Sequence, residues 1–138
     1  MGCDIHIVLE SRKPGSSEWI GHWCTDNLPT RRRPRIADRD YAFFQRFAVR
    51  GTSESGKVIY PRNLPEDLSR LAWSLYMLRP TDHHSASHCT PMEFAEAWLE
   101  ENPNQDEIRA EFAFWDMFGI DEEWPPETEY RLVFWFDN

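Results

Sequence analysis

Leu132-Val133-Phe134-Trp135-Phe136 constrains the fold of this chain more than any other stretch. In extended backbone, five successive apolar side chains point alternately to two faces, and both faces then need cover. Tyr130–Asp137 is therefore expected as a strand, and as a central one in its sheet. Cys3–Glu10 supplies another. There Cys3, Ile5, Ile7 and Leu9 alternate with Asp4, His6, Val8 and Glu10, which gives one apolar face and sets Asp4 and His6 side by side on the other. Trp19–Cys24, beyond the Pro14-Gly15 turn, reads as an antiparallel partner.

The middle of the chain reads as helices. Asp38 or Asp40 can cap a short helix that runs to about Arg50 and stops at Gly51, with Tyr41, Phe44, Phe47 and Ala48 as its apolar stripe. Pro61–Pro65 leads into a second, Glu66–Leu78, which turns Leu68, Leu71, Ala72, Leu75 and Leu78 inward. Thr90-Pro91-Met92-Glu93 joins a threonine cap, a proline at the first helical position and the glutamate of a capping box, and the helix it opens carries Phe94, Ala97 and Trp98. A fourth, Gln105–Phe118, shows Ile108, Phe112, Trp115 and Phe118 inward and ends at Gly119. The expected fold is α+β: one domain over residues 1–138, a small antiparallel sheet including both chain termini, and about four helices packed on it. Trp73, Trp98, Trp115 and Trp135 fall at core spacing, whereas Trp19 and Trp23 lie on an edge strand where they could stack on a base.

Charge is divided unevenly. Residues 1–79 hold 13 Lys/Arg against 9 Asp/Glu, a net of +4, and residues 80–138 hold 2 against 15, a net of −13. Such a chain is not expected to bind nucleic acid non-specifically, since phosphate contacts need a basic surface. No apolar run reaches membrane-spanning length and no charged-then-apolar leader opens the chain, so a cytoplasmic protein with no membrane partner is expected. Cys3, Cys24 and Cys89 are odd in number and widely spaced, which suits reduced thiols rather than a disulfide framework or a zinc knuckle.

Chemistry-bearing side chains concentrate in Asp82-His83-His84-Ser85-Ala86-Ser87-His88, a stretch flanked by Pro80 and Pro91 that reads as a loop. With Asp4 and His6 it offers carboxylate and imidazole donors suited to Zn, Mn, Fe or Ni. The metal ligands expected are Asp4, His6, Asp82, His84 and Asp137. Without a metal, a carboxylate-oriented histidine can serve as general base and a second as general acid, which makes His6, His84, Ser85 and Ser87 the catalytic candidates. The plainer reading has Asp4 fixing the tautomer of His6, and the remaining histidines solvated. Arg39, Tyr41, Arg50 and Arg62 are the substrate-binding candidates, because arginine grips phosphate in bidentate fashion. Taken singly, each arginine is better explained as a surface residue or by an ion pair with Asp38, Asp40 or Asp67. The Arg31–Arg35 cluster reads as a solvated loop.

Several of these segments together resemble a family of small bacteriophage and bacterial proteins. They are Met1-Gly2-Cys3-Asp4-Ile5-His6, Arg39-Asp40-Tyr41 with Phe47-Ala48-Val49-Arg50, Pro61-Arg62-Asn63-Leu64-Pro65, Asp82–Ser87, and the ending Val133-Phe134-Trp135-Phe136-Asp137-Asn138. The chain departs from the family pattern at Ala86, where the family has histidine, at His83 and Asn63, where it has glycine, and at Asp40, where it has asparagine. The resemblance implies that Asp4, His6, His84, Ser85, Ser87 and Asp137 converge. It also implies a phage setting in which removing a cyclic-nucleotide signal would serve counter-defence.

The leading expectation is a phosphoesterase-like hydrolase of a nucleotide or cyclic nucleotide. A non-catalytic protein that sequesters a nucleotide signal, as a monomer or a homo-oligomer, needs the arginines and aromatics but no reactive histidine. An acidic protein that imitates nucleic acid to block a partner would draw on the −13 half alone.

Overall fold

Backbone pairing carries the fold, and β4, the strand that needs cover on both faces, receives it. The computed structural model describes residues 5–24, 41–44, 46–47, 62–78, 80–110, 114 and 127–137, with backbone alone at 23, 24, 41 and 42. In chain order the elements are β1 (Ile5–Arg12), β2 (Ile20–Cys24), α1 (Tyr41–Phe44), α2 (Arg70–Met77), β3 (His83–Cys89), α3 (Pro91–Glu101) and β4 (Glu129–Asp137). The four strands form one antiparallel sheet in the order β2-β1-β4-β3, so the terminal strands pair at its centre.

Register assigns every side chain to a face. His6 lies opposite Trp135, Val8 opposite Val133 and Glu10 opposite Arg131, while Ile5, Ile7 and Leu9 oppose Phe136, Phe134 and Leu132. The second set is buried with Phe43, Phe44 and Phe47, with Phe94 and Ala97 of α3, and with Phe114. The first set is also covered, by α2 and the segment before it: Val8, Val133, Trp135 and Ala72 pack with Leu64, Leu68, Leu71, Leu75 and Tyr76. Helices therefore lie on both sides of the sheet, and this second cover was not expected for β1, whose Glu10 is fully buried.

A charged cluster resolves that burial. Arg131 Nε donates to Glu10 Oε1 at 2.5 Å, and Ser69 N–H donates to Glu10 Oε2 at 2.7 Å. Arg131 also reaches Asp67 Oδ1 at 2.8 Å, and its guanidinium lies 3.9 Å from the ring centre of Trp19. Ser69 is the N-cap of α2, its side chain accepting from Ala72 N–H. The helix thus starts four residues later than Glu66, at the point where sheet and cap meet. Gly21 permits the close approach of α2 to β2, since a Cβ there would stand 2.7 Å from Leu71 Cβ.

Other expectations meet the structure unevenly. The capping box of Thr90 and Glu93 forms as read, with Pro91 in the first turn. Trp73 is 57% exposed and Leu78 76%, because α2 ends at Met77 and turns Trp73 outward. Trp19 is buried under Arg131 and Arg12 and offers no face to a base. Of the fourth helix, residues 107–110 and Phe114 are helical. Ile108 is 68% exposed, with Ala110 and Phe114 inward instead, and residues 112, 115 and 118 lie outside the described residues. Three helices, together with those helical residues, are seen among the described residues where about four were expected. Among the described residues no helix is long and apolar enough to cross a membrane.

Candidate functional site

The stretch His83–Cys89 is a strand, not a loop, and this changes which histidine meets His6. His83 lies opposite Asp137, and His84 opposite Phe136, so adjacent residues take opposite faces of the sheet. His83 joins the face of His6, Trp135 and Asp137. His84 joins the other, where its ring stacks on Phe136 with centroids 5.9 Å apart. Between His84 and Ser87 the register shifts: three steps along β3 match two along β4, the mark of a bulge. Ser85 takes a φ of 56° there, a left-handed conformation unusual for a residue other than glycine.

Three donors converge on the His6 face. His6 Nε2 and Asp137 Oδ2 are 2.5 Å apart, and one ligand atom each from His6, His83 and Asp137 lies within 4.8 Å of the others. All three residues are half-buried. Trp135 underlies the group, its ring stacked with His6 at 5.8 Å and tilted against His83 at 5.6 Å. Tyr76, near the end of α2, contacts both His83 and Trp135 with its ring. His83 Nδ1 donates to the Tyr76 carbonyl at 2.8 Å, which in the neutral ring puts the lone pair on Nε2. The Trp135 indole N–H is buried with no acceptor among the described residues. Leaving such a donor unsatisfied costs about 1–3 kcal/mol, an expense a phenylalanine at this position would avoid.

The remaining candidates are distributed elsewhere. Ser87 Oγ is fully buried; it donates to the Phe47 carbonyl at 2.9 Å and accepts from Arg62 N–H at 3.1 Å. That pattern is a tie between three segments and leaves no hydroxyl proton for a base. Ser85 Oγ bonds His84 Nδ1 at 3.1 Å, while His84 Nε2 is buried with no partner among the described residues. Asp82 is exposed in the turn before β3. Arg62 grips Glu93 through both guanidinium nitrogens and also reaches the His88 carbonyl. His88 is five residues along β3 from His83, so Arg62 sits at the far end of that strand. Hydrogen bonding from Arg62 holds the Glu93 carboxyl well below the usual carboxylate range, at about 2. Asn63, at φ 68°, donates its N–H to the Ala86 carbonyl and so covers the outer edge of β3 at the bulge. Asp4, Arg39 and Arg50 lie outside the described residues, as does the side chain of Tyr41.

Of the residues expected to converge, His6 and Asp137 do so, and His84 and Ser87 point to the opposite face. His83, weighed from the sequence only as a substitute, with His88, for the family histidine missing at Ala86, takes the place assigned to His84. The signal that finds it is parity: once His83–Cys89 is treated as a strand beside β4, the residue opposite Asp137 on that strand is His83. A groove of about 800 Å³ between α3 and the start of β4, lined by Met92, Leu99, Ala110, Phe114 and Tyr130 among others, contains none of the candidates.

No family model matches the chain, and no curated protein or solved structure matches it either. What the site can do is therefore argued from its geometry.

Proposed function

We propose that the protein hydrolyses a phosphoester bond in a nucleotide or cyclic nucleotide, with water activated at His6, His83 and Asp137. The observation that carries the reading is the 2.5 Å approach of Asp137 Oδ2 to His6 Nε2 with the His83 ring 5.5 Å from that of His6. Two imidazoles beside one carboxylate can generate a hydroxide near neutral pH, either by direct proton transfer or through a bound ion. Asp137 engages His6 at Nε2 and orients its ring, as a carboxylate does for a histidine general base. His83, its tautomer fixed by the Tyr76 carbonyl, presents Nε2 as a second proton-handling atom. The three residues come from three neighbouring strands, whose ladder limits their drift in a way a loop would not.

The nucleotide part of the reading draws on Arg39 and Arg50 and on the resemblance to phage proteins. Arg62 is withdrawn from it, since its guanidinium is committed to Glu93. Counter-defence by removal of a cyclic-nucleotide signal is the biological setting this would serve.

The test is a panel of nucleoside mono-, di- and triphosphates and cyclic mono- and dinucleotides, followed by ³¹P NMR with the wild-type protein and Asp137→Asn. Conversion of at least one substrate, slowed about 100-fold or more by Asp137→Asn, is expected. A folded wild-type protein that binds a nucleotide and returns it intact would replace hydrolysis with sequestration.

A further inference from the structure

We infer that His6, His83 and Asp137 form a three-ligand centre for one divalent transition-metal ion, zinc by preference, with His83 rather than His84 as the second imidazole. The ion's role in turnover rests on the hydrolase reading; its binding does not.

The donor set comes first. Two imidazoles and one carboxylate match the His₂-carboxylate composition of open metal sites, in which three protein ligands leave a further position for water. Their ligand atoms already lie within 4.8 Å of one another. Around a tetrahedral zinc, ligand atoms stand about 3.3 Å apart, given metal–donor distances of about 2.0–2.1 Å. Side-chain rotation covers that difference without moving the strands. The Nε2–Oδ2 pair of His6 and Asp137, at 2.5 Å, is by contrast closer than two ligands of one ion. The entering ion therefore takes the place of the shared proton and spreads these atoms by just under about 1 Å.

The surroundings are those that a ligating histidine requires. A metal-bound imidazole almost always donates its other N–H to a carbonyl or carboxylate, which fixes the ring and raises its basicity. His83 does this through Nδ1 to the Tyr76 carbonyl, so in the neutral ring Nε2 carries the lone pair that an ion would take. Trp135 and Tyr76 supply an apolar wall behind the donors, which strengthens ion–ligand attraction by excluding water. His84, the obvious ligand in the sequence, lies on the opposite face against Phe136. Cys89 is also on that opposite face, fully buried at the other end of β3. Nitrogen and oxygen donors without thiolate suit Zn²⁺, Ni²⁺, Fe²⁺ or Mn²⁺, and the general affinity order places Zn²⁺ and Ni²⁺ above Mn²⁺.

The experiment is titration of chelator-treated full-length protein with Zn²⁺ by calorimetry, and with Co²⁺ by visible absorption, for wild type, His83→Ala, Asp137→Asn and His84→Ala. Circular dichroism establishes that each variant is folded. Wild type should take up one ion and give the intense visible bands of low-coordinate Co²⁺. His83→Ala and Asp137→Asn should each weaken binding by about 100-fold or more, and His84→Ala by less than about 3-fold. Asp137→Asn is near-isosteric, so it reports on the site even if His83→Ala does not fold. Absence of stoichiometric uptake by the wild type overturns the inference, as does a loss in His84→Ala equal to that in His83→Ala. Nucleotide turnover that persists unchanged in chelator overturns the ion's role in turnover and leaves the hydrolase reading standing. One tightly bound ion without turnover overturns the hydrolase reading and leaves the metal centre standing.

Discussion

Replacing Glu10 by alanine should remove a large part of the protein's stability, and the structure sets the scale. Glu10 is fully buried in the sheet, and its two carboxylate oxygens serve two different partners, Arg131 Nε and the Ser69 N–H. Breaking a buried ion pair by removing one member costs about 3–5 kcal/mol, because the other charge stays out of water. Arg131 keeps Asp67 and the face of Trp19, which draws its share towards the lower end. The Ser69 N–H, left without its acceptor at the start of α2, adds about 1 kcal/mol. The expected loss is about 3–4 kcal/mol out of the roughly 5–15 kcal/mol available to a domain of this kind. In urea, with a slope near 2 kcal/mol per molar, the midpoint should fall by about 1.5–2 M. Arg12→Ala is the control. It loses a partly exposed bond to Glu129 at 2.7 Å and its contact with the face of Trp19, so its midpoint should move by less than about 1 M. If Glu10→Ala shifts the midpoint no more than Arg12→Ala, the reading of Glu10, Arg131 and Ser69 as a clamp is refuted. The clamp is connected to the proposed site through α2. The same helix ends near Tyr76, whose carbonyl orients His83, so a loosened α2 should weaken metal binding as well as stability.

Other consequences are more local. Ser87→Ala removes both the donor to the Phe47 carbonyl and the acceptor of Arg62 N–H, and should cost about 1–3 kcal/mol in denaturant unfolding; no loss would mean the two bonds are spectators. The Glu93 carboxyl, lowered to about 2 chiefly by its hydrogen bonds from Arg62, stabilises the fold fully above its unfolded value near 4.5, and that contribution disappears as pH falls towards 2. NMR titration of the carboxyl should show this depressed midpoint, and Arg62→Ala should return it towards the usual range. Burial pushes the Cys89 thiol well above its ordinary value. Mass-spectrometric mapping after iodoacetamide treatment should therefore find Cys89 unmodified in the native protein and alkylated in urea.

Much of the architecture is legible in the sequence because it depends on alternation and capping. The doubly apolar run at 132–136 identifies the central strand, and Thr90-Pro91-Met92-Glu93 identifies the start of α3 almost to the residue. Glu10 shows where such reading stops. A carboxylate within an alternating strand looks solvent-facing, and only the arrival of Arg131, more than a hundred residues away, makes its burial tolerable. The site was partly legible for the same reason. The convergence of His6 and Asp137 was implied by the resemblance and is delivered by the pairing of the terminal strands, whereas His83 could not be placed while its stretch read as a loop. Histidines, serines and flanking prolines are poor strand formers by composition. What holds His83–Cys89 extended is pairing with β4 on one side and the Asn63 segment over the bulge on the other. A one-residue difference in parity then decides whether His83 or His84 faces His6.

That parity separates two histidine variants. Turnover of the best phosphoester substrate should be measured under identical conditions for His83→Ala and His84→Ala, with folding verified for both. His83→Ala should lower the rate by about 100-fold or more while His84→Ala stays within a few-fold of wild type. The opposite ranking, with His84 essential and His83 dispensable, would contradict the assignment of the site to the His6–His83–Asp137 face.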